Sequence, residues 1–134
     1  MEGKGEERAT AWVLETLGML AAVAGSLFNL YNTFHWYDEV VHAYNFFALT
    51  LLVVVYAYGV VLTGAREHGF VLVLFVTVFG LGLGALWEIA EFLYDHLIVK
   101  PNAILPKRDT IIDMALDTAG ALVAGLVRLW MLRR

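Results

Sequence analysis

The chain has 134 residues, enough for a single domain, and 60% of them are hydrophobic while only 16% are charged. That balance excludes a soluble domain. A net charge of −4, from 9 Lys and Arg against 13 Asp and Glu, leaves no basic surface for nucleic acid. The absence of cysteine excludes disulfides, thiolate metal sites and cysteine nucleophiles.

Thr16 to Tyr37 is a run of 22 residues free of Asp, Glu, Lys and Arg. It is too long, and its acidic approach (Glu2, Glu6, Glu7) too poor in positive charge, for a cleavable signal peptide. Ala43 to Ala65 gives a second run of 23 residues and Gly69 to Trp87 a third of 19. Each suffices to cross a hydrocarbon core of about 30 Å as a helix. Thr110 to Leu132 has spanning length too, but carries Asp113, Asp117 and Arg128, which a bundle interior accommodates better than lipid. The expected fold is therefore all-α, a polytopic membrane protein built as one four-helix transmembrane bundle, with spans near 11–33, 40–64, 69–95 and 110–132 and no second domain.

Lys4, Arg8, Arg66, Arg133 and Arg134 fall on one side of such a bundle, and Lys100, Lys107 and Arg108 on the other. The positive-inside rule then predicts a cytoplasmic-membrane protein with both termini in the cytoplasm and the 32–38 and 97–109 connections outside. Small residues four apart predict close helix contact: Gly80 with Gly84, Gly120 with Ala124, and Ala121 with Gly125.

The ionisable residues converge in this topology. Asp38, His42 and Asn45 open the second span, Glu88, Glu91 and Asp95 close the third, and Asp109, Asp113 and Asp117 open the fourth, each set on one helical face. All three sets arrive at the outer side. Asp117 and Glu88 would lie roughly 10–13 Å inside their helix ends at 1.5 Å per residue, where an unpaired carboxylate costs several kcal/mol. With no basic residue at that depth, the carboxylates around His42 call for shared protons, a bound metal or a cationic ligand group. His42, Glu88, Glu91, Asp113 and Asp117 are the candidate metal ligands, supported by Asp38, Asn45 and Asp109. Hard oxygen donors with one imidazole suit Mg, Mn, Zn or Fe. A purely structural polar network is the competing reading of the same residues. Locally, Asp109 and Asp38 also fit helix N-caps, Asp95 and His96 fit wetted interface positions, and Glu15 is expected to snorkel or to pair with Arg8 or Arg128 on the opposite side.

Trp36-Tyr37-Asp38 followed by His42, then Trp87-Glu88-Ile89-Ala90-Glu91, then Arg108-Asp109-Thr110-Ile111-Ile112-Asp113-Met114 and Asp117 to Ala121, resembles the YjdF-like inner-membrane family. That family carries Tyr/Phe-Asp-x-x-x-His, Glu-x-x-Glu and Asp-Thr-x-x-Asp-Met elements in this order. The chain is more distantly similar to VanZ-like proteins, which share the Asp-x-x-x-His start and paired Asp residues before a Gly-rich helix. It departs from the YjdF-like pattern in being shorter and in lacking a Gly-Asp-rich segment before Asp109. The resemblance implies an integral membrane protein and supplies no reaction. Small prokaryotic lipid kinases have a similar length and an acidic residue leading into an Ala/Gly-rich helix, as at Ala115 to Gly125, but their Glu-Asn and Asn-Thr-Ala-Ile-Glu signatures are missing here.

Three functions compete for these residues. A divalent-cation site acting on a lipid or cell-envelope substrate accounts for the ligand types. A proton- or cation-coupled carrier or channel subunit would use the same acidic lining, but the cytoplasmic half of the spans carries no charge apart from Glu15 and Arg128, where a conduction path needs polar groups throughout. A non-catalytic packing network is the third. The bilayer is the expected partner of such a chain, and its apolar perimeter leaves room for a homo-oligomer.

Overall fold

The computed structural model describes residues 2–57, 68–99 and 107–133, and every described element is helical. Four of its helices are long and apolar enough to cross a membrane: Gly5–Leu27, His35–Ala57, Gly69–Ile98 and Asp109–Arg133. The chain is thus the all-α, polytopic architecture expected, although residues 58–64 of the expected second span and 100–106 of the outer connection lie outside the described residues.

Helix α1 (Glu2–Leu27) ends earlier than residue 33, where the apolar run would place it. The cause is Asn29, which takes a left-handed conformation (φ 55°) and breaks the ladder; Asn is among the few non-glycine residues that tolerate this region. A single turn, α2 (Leu30–Thr33), and the extended Phe34 then redirect the chain into α3 (His35–Ala57). Helix α4 (Gly69–Tyr94) runs into a π-helical turn, Asp95–Val99, before α5 (Lys107–Arg133) begins. Because α3 starts at His35 and α5 at Lys107, Asp38 and Asp109 sit inside the first turns rather than at the N-caps expected of them. There they complement the helix dipole.

Helix α5 lies between α3 and α4, which meet each other only narrowly, and α1 packs on α3. Glycines set the register. Gly120 faces the backbone of Ala43 and Phe47, Gly80 faces Ala121 and Thr50, Gly84 faces Asp117, and Gly125 faces Val73. The small-residue pairs expected from sequence are therefore contact points between α3, α4 and α5, as the close approach of membrane helices requires. These contacts run α4 antiparallel to α5 and α3 parallel to it, so the start of α3, the end of α4 and the start of α5 share one end of the molecule.

On α1 the buried positions after the first turns are Ala11, Gly18 and Gly25, one every seven residues. Gly18 faces Asn45 and Tyr44, and Gly25 faces Tyr31 and Tyr37. Tyrosines tie this seam: Tyr37 Oη donates to the Ala21 carbonyl at 2.8 Å and Tyr44 Oη to that of Leu14 at 3.1 Å. Tyr31 Oη donates to Ala22 at 3.4 Å. Burial, followed by the nearby charges of Asp38, Tyr37 and Glu91, pushes the Tyr31 phenol above its ordinary range and keeps it a neutral donor.

The apolar core fills the opposite half, with Leu51, Leu52, Val54 and Val55 of α3 against Leu72 and Val76 of α4, Ala124 of α5 and Ala11 of α1. That end is closed by polar contacts to α1. Arg128 Nη1 donates to Glu7 Oε2 at 2.7 Å. The Arg8 guanidinium lies 4.8 Å from the Tyr56 ring centre, and Trp12 Nε1 donates to Tyr56 Oη at 2.9 Å. Glu15, expected to snorkel or to pair with Arg8 or Arg128, lies toward this end of α1, where Glu7 pairs with Arg128 and the Tyr56 ring faces Arg8. Glu15 Oε2 is buried without a hydrogen-bond partner.

Candidate functional site

Where α3, α4 and α5 share an end, the sequence places carboxylates at helical spacing and the packing turns them toward one another. His42 is the centre. Its Nδ1 lies 3.0 Å from Asp117 Oδ1, and its Nε2 lies 3.7 Å from Asp38 Oδ1, one turn earlier on the same helix. The ring stacks on Phe46 at an interplanar angle of 9°, which fixes its plane. Asp117 is fully enclosed, and His42 and Glu88 are each 9% exposed. Gly84 makes the enclosure possible, because its missing side chain leaves the space taken by the Asp117 carboxylate.

Ligand-type atoms of His42, Glu88 and Asp117 all lie within 4.8 Å of one another, and so do those of Asp38, His42 and Asp113. The two sets share the imidazole. In the inner set, Glu88 Oε1 and Asp117 Oδ2 are buried and accept no hydrogen bond. Orphaned acceptors of this kind are rare in a folded interior and ask for a donor or a cation. Thr110 of α5 lines the same space as the Glu88 carboxyl, whose Oε1 is left without a partner.

Above the inner set is a cavity of about 70 Å³, lined by Asp38, Glu88, Glu91, Phe92, Asp95, Asp109, Thr110 and Asp113. It has room for a few waters, and its walls hold acceptors with no basic side chain among them. Six of its eight lining residues are acidic, so an anionic ligand is repelled unless a cation is present.

Of the residues expected from sequence, His42, Glu88, Asp113 and Asp117 come together as buried groups. Asp38, Glu91 and Asp109 line the cavity, with Glu91 and Asp109 exposed. Asn45 does not join them. One turn beyond His42, it faces Gly18 of α1 and lines an apolar groove with Leu17, Ala21 and Tyr44. The i, i+4, i+7 spacing put it on the face of His42, yet that face is wide enough for its two edges to meet different neighbours. Asp95, whose spacing puts it with Glu88 and Glu91 but which was expected as a wetted interface residue, lines the cavity from the start of the π-helical turn. Thr110 escaped sequence reasoning, with only its place beside Asp109 to signal it.

A family model described as "Predicted membrane protein (DUF2238)" matches residues 7–134. A protein of Thermotoga maritima described as "Uncharacterized protein" is 30% identical over 116 residues, covering 83% of this chain and 57% of that protein. The chain thus spans little more than half the length of this relative. No solved structure matches it.

Proposed function

The chain belongs to the DUF2238 family of membrane proteins, the YjdF-like family, and on that footing we propose that His42, Glu88 and Asp117 hold a divalent cation, placed to serve a phosphate-bearing lipid or cell-envelope substrate. The observation that carries this reading is the pair of buried, partnerless oxygens, Glu88 Oε1 and Asp117 Oδ2, beside an imidazole. The 3.0 Å between His42 Nδ1 and Asp117 Oδ1 is also the separation of two ligands at right angles about 2.1 Å from one ion. His42 binds through Nδ1 in this arrangement, and its Nε2–H is directed to Asp38, the outer carboxylate that commonly orients a ligating histidine. Glu88 and Asp117 neutralise the charge and Phe46 keeps the ring in plane. A divalent cation supplies Lewis-acid polarisation of a phosphoryl oxygen and a more acidic water. The cavity lined by Asp38, Glu91, Asp95 and Asp109 gives access from the membrane surface. By the positive-inside rule that surface is the outer face of the cytoplasmic membrane.

Elemental analysis of purified protein tests the reading, together with melting curves in Mn or Zn. We expect about one tightly held ion per chain. Saturating cation at a hundred times its Kd stabilises the fold by about 2.7 kcal/mol. His42→Ala, Glu88→Gln and Asp117→Asn each lower both occupancy and Tm, and a chelator reproduces the loss. Metal-free protein whose melting ignores added cation, with amide variants as stable as the parent, would establish a structural network instead.

A further inference from the structure

We propose that the outer set is a second cation station, in which Asp113 and Asp38 hold a hard ion such as Mg or Mn beside the inner one, so that the site is a two-metal centre. This rests on the inner ion proposed above. The observation is separate: Asp113 is 6% exposed and lines the cavity, and a ligand-type oxygen of its carboxylate lies within 4.8 Å of those of Asp38 and His42. The Asp113 oxygens, unlike Glu88 Oε1 and Asp117 Oδ2, open onto the cavity, where a carboxylate walled by further carboxylates is stabilised by positive charge.

The two stations differ in chemistry. The inner one has the nitrogen ligand and is sealed by Gly84 and Phe46. The outer one has oxygen donors only and borders the cavity of about 70 Å³. Magnesium-like ions are held in this way, by one or two carboxylates with the remaining positions left to water and to phosphate oxygens of a ligand. With Nδ1 on the inner ion and Nε2 protonated, His42 ligates one ion and Asp38 lies between its ring and the second. Two ions flanking one phosphate clamp both sides of a displacement at phosphorus, and they explain why so acidic a cavity can admit an anionic headgroup.

Manganese titration of the full chain, stripped with chelator and held in detergent, tests the proposal. Wild type is expected to take two ions per chain, one at least ten times more weakly than the other, with spin coupling between them in the electron paramagnetic resonance spectrum. Asp113→Asn removes the weak ion and the coupling while keeping the tight ion. Asp38→Asn, at a half-buried position that tolerates the change, also removes the weak ion and the coupling and, because Asp38 orients His42, weakens the tight ion without abolishing it; it serves if the Asp113 variant fails to fold. Glu88→Gln weakens the tight ion. A single ion in wild type that Asp113→Asn leaves unchanged would overturn the second station and spare the first. No ion at all would overturn both.

Discussion

At the scale of the residue, Gly84 and Gly82 make a controlled pair. A Cβ on Gly84 would lie 2.7 Å from Asp117 Oδ2 and 2.9 Å from Asp117 Cβ, whereas one on Gly82 meets nothing within 4 Å. Gly84→Ala therefore has to displace the Asp117 carboxylate. We expect a loss of cation affinity of about 10- to 100-fold, the usual effect of disturbing a ligand's support, together with a lower Tm. Gly82→Ala changes neither affinity nor packing and adds about 0.5–1 kcal/mol of helix stability. Isothermal titration of the two variants side by side decides it; equal affinities would remove Gly84 from the site. Gly120→Val is a third case. The obstruction there is the α3 backbone at Ala43 and Phe47, which cannot rotate away. Its expected outcome is a loss of about 1–3 kcal/mol in thermal unfolding.

At the scale of the element, α1 stands apart from the site. It packs on α3 through Ala11, Gly18 and Gly25 and through tyrosine hydroxyls, on the face of α3 turned away from Asp117. Gly25→Leu would place a side chain against the rings of Tyr31 and Tyr37, 2.5 and 2.6 Å from a Cβ. A destabilisation of about 1–3 kcal/mol follows, with cation stoichiometry unchanged; a variant that loses its ion would show that α1 supports the site after all. Much of the helix arrangement was legible in the sequence, because four spans, short connections and carboxylates at helical spacing leave few ways to gather Asp38, His42, Glu88, Asp113 and Asp117. The α1 seam was not, since a repeat of one small residue in seven is inconspicuous inside an apolar run. Nor was the break at Asn29, where nothing in the local composition announces a left-handed residue. Asn45 shows the finer limit: spacing assigns a residue to a helical face, but which neighbour covers each edge of that face depends on tertiary packing.

At the scale of the whole molecule, the four spans and the basic residues at their ends predict orientation. Lys4, Arg8, Arg66 and Arg133 flank one side, so a reporter fused after Arg134 should be active only in the cytoplasm. Cysteines placed at Asn102 and Ala103 should react with impermeant thiol reagents from outside, and one at Glu67 should not. The reverse labelling pattern would invert the molecule and put the cavity at the cytoplasmic face.

The composition of α5 bears on how the chain is made. Its buried Asp113, Asp117 and Arg128 each cost about 2.5–3.5 kcal/mol at the centre of a helix entering lipid alone. The partners of Asp117 and Arg128, His42 on α3 and Glu7 on α1, emerge from the ribosome first. The last span is thus a poor substrate for independent insertion and depends on earlier helices still waiting beside the translocon. Fused by itself to a neutral carrier, Asp109–Arg133 should pass largely into the lumen, and supplying residues 1–100 ahead of it should restore integration. A His42→Ala change in that leading segment should lower the yield even where no metal is present.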